Sequence, residues 1–331
     1  MERFALAAAV VLGFALTAAL CSLFVPLRRV LERREQQQQP VQSEQPRPAP
    51  LRAPLWGGLC AAAGTVAAVG VGWLAACVGQ PELLGSEGRL MTRLLTALAG
   101  SLAFGAVGLA EDLARMRSPA ALGLRRDVRL LLEALAAAFV LLLLRAAGCL
   151  PRGLGVPGAG YVLLGSAVPL LWAVLMVALA ECARVAERDE GTVCGAAFVA
   201  MLALMMAEAG LGVPGLAVLP AALAGALVAL LLAAVPPARL GVGCCGSLLA
   251  AGAIGCIPLS LDMTSLTVPL ALPFWAAGGL LAAQLLCAKR TGKPLRCWVK
   301  KHKMSPETVF LCSFALSAVG YVLALALLRW C

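Results

Sequence analysis

The sequence predicts an all-α integral membrane protein: a bundle of about ten transmembrane helices, both termini outside, with the functional loops in the cytoplasm. Three observations carry this. Apolar residues make up 61% of the chain against 13% charged, with a mean hydropathy of +0.91, far beyond a water-soluble domain. Ten apolar runs are long enough to cross a hydrocarbon core of about 30 Å as helices. Finally, 21 of the 27 Lys and Arg residues fall in alternate connections, which assigns those connections to the cytoplasmic side.

Taken in order, the spans are expected at 5–25, 55–78, 92–110, 129–147, 160–180, 192–209, 213–234, 247–261, 267–287 and 307–328. The first resembles a signal peptide in position, but its length and the Arg28, Arg29, Arg33, Arg34 cluster at its end favour a retained helix. Behind it, "LERREQQQQPVQSEQPRPAP" (31–50) is rich in Gln, Pro and charge and cannot bury a core. It is expected to be a flexible cytoplasmic loop inside one polytopic domain, 1–331. Further basic connections follow the third span (Arg115, Arg117, Arg125, Arg126, Arg129) and the ninth (Lys289, Arg290, Lys293, Arg296, Lys300, Lys301, Lys303). Only "AGLGVPG" separates the sixth span from the seventh, which calls for a tight turn. The eighth span is short and Gly-rich, and the Ala, Gly and Leu content throughout suits close helix packing in lipid.

The net charge of +10 is then largely topology and attraction to anionic headgroups, with no call for nucleic acid. Of 13 cysteines, Cys21, Cys60, Cys77, Cys194, Cys256, Cys287 and Cys312 lie within apolar spans, where a thiol behaves as a small hydrophobe. They form no disulfide framework, and with a single histidine and no recurring C-x-x-C pair, zinc binding is not expected. No charged residue at mid-span and no inverted repeat supports a transporter.

The acids are informative, because an ionisable group beside a membrane span is costly unless it works or faces water. Eight of 17 lie in or beside two cytoplasmic connections: Glu111, Asp112, Asp127, Glu133, Glu181, Glu187, Asp189 and Glu190. Carboxylates from separate helix ends on one face can hold Mg²⁺ against phosphate oxygens; the plain alternative is a pair of solvated loops. One further stretch, GVGCCG (241–246), matches G-x-G-x-x-G, but it lies between membrane spans, with no preceding strand and no soluble βαβ unit around it. It is expected to be a glycine-rich turn between spans, with Cys244 and Cys245 as small filling residues.

Five segments then carry a resemblance. "VPLRRVLERREQQQQP" through "APLWGGL" is similar to a basic loop ending in P-T-M-G-G, with Pro54, Trp56, Gly57 and Gly58 in place. "FGAVGLAEDLARMRSPAALGLRRDVRLLLEALAA" is similar to G-F-x-D-D-x-x-K followed by G-L-x-x-x-x-K-L-L-L-Q. "ALAECARVAERDEGTVCG" stands where N-A-V-N-L-T-D-G-L-D-G would, and "VPPARLGVGCCGSL" aligns without gaps on A-P-P-A-K-V-F-M-G-D-T-G-S-L. "KRTGKPLRCWVKKHKMSPETV" is similar to a last cytoplasmic loop ending in P-E-T. In this order they resemble the phospho-N-acetylmuramoyl-pentapeptide transferase (MraY) family, of the polyprenyl-phosphate phosphosugar transferase superfamily and the glycosyltransferase family 4 type.

The resemblance implies a multi-pass protein of the bacterial cytoplasmic membrane that moves a phospho-N-acetylmuramoyl-pentapeptide from its uridine-diphosphate carrier to undecaprenyl phosphate, forming lipid I for peptidoglycan, with Mg²⁺. It implies that Glu111, Asp112 and Glu187 hold the ion and diphosphate, that Arg129 neutralises phosphate charge, and that Glu190, His302 and the turn Gly243, Gly246, Ser247 bind substrate. A homodimer is left open. Residue by residue, however, the family's aspartates fall on Glu111, Asp112, Glu187 and Glu190, and the aspartate of the fourth segment falls on Cys244. Its two asparagines fall on Glu181 and Arg184, and the histidine cluster is reduced to His302 beside Lys301 and Lys303. A longer carboxylate displaces its oxygens by about 1 Å, enough to cost about 10²-fold, and a thiol is a poor ligand for a hard cation. Together these changes imply that the parent transfer is lost or greatly slowed. The alternative to an enzyme is a non-catalytic membrane protein that binds a lipid phosphate or nucleotide.

Overall fold

The structure is a computed structural model that describes residues 2–38, 56–79, 88–117, 123–151, 153–156, 160–163, 165, 167–187, 191–213, 215–234, 240–291 and 306–330. Helices occupy all ten expected places: α1 (Glu2–Gln38), α2 (Gly57–Gly79), α3 (Gly88–Arg117), α4 (Arg126–Ala146), α5 (Ala167–Ala186), α6 (Thr192–Gly210), α7 (Val218–Ala234), α8 (Gly243–Ser260), the pair α9 (Thr267–Leu270) and α10 (Leu272–Thr291), and α11 (Pro306–Trp330). Seven of them are long and apolar enough to cross a membrane unaided, or eight if the bent pair counts as one span. Helix α7 is an apolar helix of 17 residues, and α4 carries Arg129, Glu133 and Arg145 along its length. The chain is thus a multi-pass membrane protein of helices.

Several boundaries differ from expectation for identifiable reasons. The segment expected to open the fifth span at 160 instead forms an antiparallel hairpin, β1 (Gly153–Val156) with β2 (Gly160–Leu163), pairing Gly153 with Leu163 and Val156 with Gly160. A short apolar run bounded by Gly and Pro does not distinguish strand from helix by hydropathy. The ninth span is broken by 63° between Thr264–Leu270 and Leu272–Ala283. Pro273 has no N–H for the Pro269 carbonyl four residues back, so the helical ladder is interrupted there. Helix α1 continues to Gln38, into the stretch expected as loop; 39–50 lies outside the described residues. The tight turn between α6 and α7 is present, with Gly212 at φ +72° and Val213 N–H donating to the Glu208 carbonyl.

The centre of the bundle is α8, in which every residue is buried. A helix apolar on all sides has no solvent face to offer and is placed inside. Its closest neighbour is α3, which turns Gly100, Gly105 and Gly108 toward Cys256, Leu249 and Cys244 of α8. Small residues let two backbones approach where lipid gives no hydrophobic incentive to associate. Trp172 of α5 is 2% exposed and ties that helix to the same core by donating Nε1–H to the Gly255 carbonyl at 3.2 Å. The start of α2 docks on the segment leading into α8: Gly57 N–H donates to Gly241 O at 3.2 Å and Gly58 N–H to Val242 O at 3.0 Å. A Cβ on Gly58 would collide with Gly246 N.

Candidate functional site

The end of α3, the start of α4, the end of α5 and the start of α8 converge at one end of the bundle. This convergence gathers the polar residues that the sequence scatters over more than a hundred positions. Helix α8 starts at Gly243, four residues earlier than the expected 247, so Cys244 to Ser247 form its first turn and are buried. Gly243 takes φ +72°, a left-handed conformation that glycine adopts without steric penalty. The turn is closed from α3: Asp112 Oδ1 accepts the Cys244 N–H at 3.0 Å and Oδ2 accepts the Cys245 N–H at 2.9 Å. A carboxylate on two orphan donors at a helix N-terminus satisfies both and complements the helix dipole. Asp112 is 1% exposed.

Around Asp112 runs a continuous ion-pair network. Arg115, one turn along α3, reaches Glu111 Oε1 at 2.9 Å, Glu187 Oε1 at 3.5 Å and Asp112 Oδ1 at 4.0 Å. Arg129 of α4 lies 3.7 Å from Glu111 Oε1 and bonds Glu181 Oε1 of α5 at 2.7 Å, while Arg184 bonds Glu181 Oε2 at 2.6 Å. The Cys244 thiol donates to Glu187 Oε2 at 2.9 Å. Ser247 is fully buried and donates Oγ–H to the Cys244 carbonyl at 3.1 Å, which braces the same turn.

The sequence-predicted residues therefore divide. Glu111, Asp112, Arg129, Glu187 and Cys244 come together in one cluster. Gly243, Gly246 and Ser247 shape the turn beneath it; two of that turn's N–H groups, those of Cys244 and Cys245, already bond Asp112. Glu190 and His302 lie outside the described residues. Sequence reasoning gave no role to Arg115, although its place three and four residues after Asp112 and Glu111 is ion-pair spacing on a helix. Glu181 stood out among the cytoplasmic acids and, like Arg184, as a replacement for asparagine; here Glu181 pairs with both Arg129 and Arg184.

The resemblance implies Mg²⁺ at this place, and the residues present do not suit it. The ligand atoms of Asp112, Glu187 and Cys244 lie within 4.8 Å of one another, but one is a protonated thiol and the carboxylate oxygens already have partners. Mg²⁺ demands near-octahedral oxygen coordination. A unit charge 4 Å from another of like sign meets about 4 kcal/mol of repulsion at an effective dielectric of about 20, and a divalent ion beside Arg115 would meet twice that.

Glu133, one turn from Arg129 on α4, is fully buried, and neither carboxylate oxygen has a hydrogen-bond partner among the described residues. It lies in the field of Arg129, Arg184 and Glu181 without bonding any of them. Burying a polar group without a hydrogen bond is costly, so Glu133→Leu is expected to raise the unfolding free energy by about 1–3 kcal/mol, measured by thermal unfolding in detergent. A loss of stability would show that the carboxylate has a binding partner.

The sequence pattern of glycosyl transferase family 4 matches residues 94–262. That span is half of the chain and contains the whole cluster from Glu111 to Ser247. No curated protein matches the chain.

Proposed function

The chain belongs to glycosyl transferase family 4, which includes the polyprenyl-phosphate phosphosugar transferases of MraY type, and from that premise we propose that metal-dependent transfer has been lost here while binding of a polyprenyl phosphate remains. The observation that carries this reading is the state of Asp112. In the parent activity its carboxylate would serve ion and diphosphate; in this chain both of its oxygens are engaged by the first turn of α8, opposite a cysteine that holds the position of the family's remaining aspartate. The parent reaction would be transfer of a phospho-N-acetylmuramoyl-pentapeptide from a uridine-diphosphate carrier to undecaprenyl phosphate in a bacterial cytoplasmic membrane. What survives is a membrane-embedded bundle whose basic connections, holding 21 of 27 Lys and Arg residues, suit an anionic lipid headgroup.

Lipid binding is tested by native mass spectrometry of the purified protein with undecaprenyl phosphate and with undecaprenol. Retention of the phosphate lipid, with the alcohol stripped under the same activation, is expected. Equal retention of both would overturn the phosphate-binding role.

A second reading, a working transferase, has one observation in its favour: Asp112, Glu187 and Cys244 bring three candidate ligand atoms within 4.8 Å of one another. It would require Cys244 to lose its proton and Arg115 to leave the cluster.

A further inference from the structure

We infer that Cys21 of α1 and Cys60 of α2 are a modification site, a pair of thiols that an organic hydroperoxide, of the kind formed in lipid, closes into a disulfide. Both are free thiols, 5% and 1% exposed, and they share a hydrogen bond. By sequence each is a small apolar filler in its own span; the fold sets them face to face.

The pairing follows from how α1 and α2 pack. The two helices run antiparallel and keep one register along their seam. Ala9 meets Gly72, where an added Cβ would lie 3.0 Å from that of Ala9, and Thr17 meets Gly64, where it would lie 3.3 Å from the Thr17 Cα. Cys21 and Cys60 stand one turn beyond Thr17 and Gly64, and the next pair along is Phe24 stacked on Trp56, with ring centroids 5.6 Å apart. Small residues let the backbones approach. A disulfide requires Cβ atoms about 3.5–4.5 Å apart, and a seam this close brings facing side chains into that range.

The surroundings select a disulfide over a metal. Cys194 of α6 and Cys245 of α8 lie in the electrostatic range of Cys21 and Cys60 respectively, but among the described residues none of the four belongs to a group of three ligand atoms within 4.8 Å of one another. Two sulfurs do not fill the tetrahedral shell of zinc. A disulfide is uncharged, so its formation leaves nothing ionised in an apolar seam. The hydroperoxide oxidises one thiol to a sulfenic acid and departs as the alcohol; the second thiol attacks that sulfur and water leaves. In all, the two sulfurs give up two electrons and two protons, which reduce the O–O bond. Ser22 and Leu23, next to Cys21, are exposed, so the approach from the acyl chains is short. The same turn of α2 docks through Gly57 and Gly58 on the segment leading into α8, and the bond would fasten α1 to that docking point.

The test treats the full-length protein in lipid nanodiscs with cumene hydroperoxide. After quenching, the protein is unfolded in a thiol-alkylating reagent, its intact mass is measured, and it is digested without reductant. Wild type is expected to lose two alkylatable thiols of its 13, to yield the peptide linked through Cys21 and Cys60, and to regain both thiols with dithiothreitol. Cys21→Ser and Cys60→Ser are each expected to keep their remaining thiols free. Oxidised wild type should also unfold at a higher temperature than reduced, because the link closes the loop between residues 21 and 60; Cys21→Ser should show no such shift. Full alkylation of oxidised wild type would overturn the inference, as would linkage of either thiol to Cys194 or Cys245, oxidation to sulfinic acid without linkage, or a loss of two thiols that survives in both serine variants. The wild-type peptide map decides the matter even if a serine variant fails to fold.

Discussion

Asp112→Ala is expected to lower the unfolding free energy by about 3–5 kcal/mol, the range for breaking a buried, hydrogen-bonded charge pair by removing one partner. Two buried N–H groups, those of Cys244 and Cys245, lose their acceptor, and each orphaned donor costs about 1–3 kcal/mol. Arg115 loses one of its three carboxylates as well. Asp112→Asn should fall between wild type and alanine, because an amide keeps one acceptor oxygen but turns its NH₂ toward the other donor. Denaturant or thermal unfolding in detergent, followed by circular dichroism, checks both variants. An alanine variant within about 1 kcal/mol of wild type, the usual worth of one net hydrogen bond, would mean that Asp112 does not hold the start of α8.

Gly108→Ala should disturb the same contact from the opposite direction. A Cβ at this position would meet the carbonyl of Cys244 and the nitrogen of Cys245; these are backbone atoms, which cannot swing aside as a flexible side chain does. Overpacking of this kind costs about 1–3 kcal/mol, and here it also pushes α3 away from α8 one turn before Asp112, lengthening both capping bonds. The two substitutions should therefore be non-additive: Gly108→Ala combined with Asp112→Ala is expected to cost clearly less than the two losses together, since each disrupts the same contact. Additive losses in the double mutant would show that the glycine contact and the carboxylate caps are independent.

The sequence revealed the helices more readily than the site. Long apolar runs of Leu, Ala and Val announce spans by composition alone, so a helix lies at every expected place. The hairpin at 153–163 and the break at Ala271 were hidden because hydropathy is blind to Gly and Pro within an otherwise apolar run. The true start of α8 was hidden for another reason. Its capping group is 132 positions away in Asp112, and no local pattern can announce a cap from a distant helix. Glu111, Asp112, Glu133, Glu181 and Glu187 stood out in the sequence because charge near a span is conspicuous, and the gapless resemblance of the fourth segment put Cys244 where a carboxylate would be expected. The partners were not legible. Arg115 belongs to a basic connection and reads as topology; only the fold brings Glu187 of the α5 end to its other side, and Glu181 to Arg129.

The central claim, that this family member no longer carries out metal-dependent phosphosugar transfer, is tested most directly by turnover. Purified protein, undecaprenyl phosphate and the uridine-diphosphate-linked N-acetylmuramoyl-pentapeptide are incubated with Mg²⁺, and lipid-linked product is separated and quantified. No product above the protein-free control is predicted, for wild type and Asp112→Asn alike. Steady formation of lipid-linked product by wild type, abolished in a folded Asp112→Asn variant, would contradict the account and establish a working transferase.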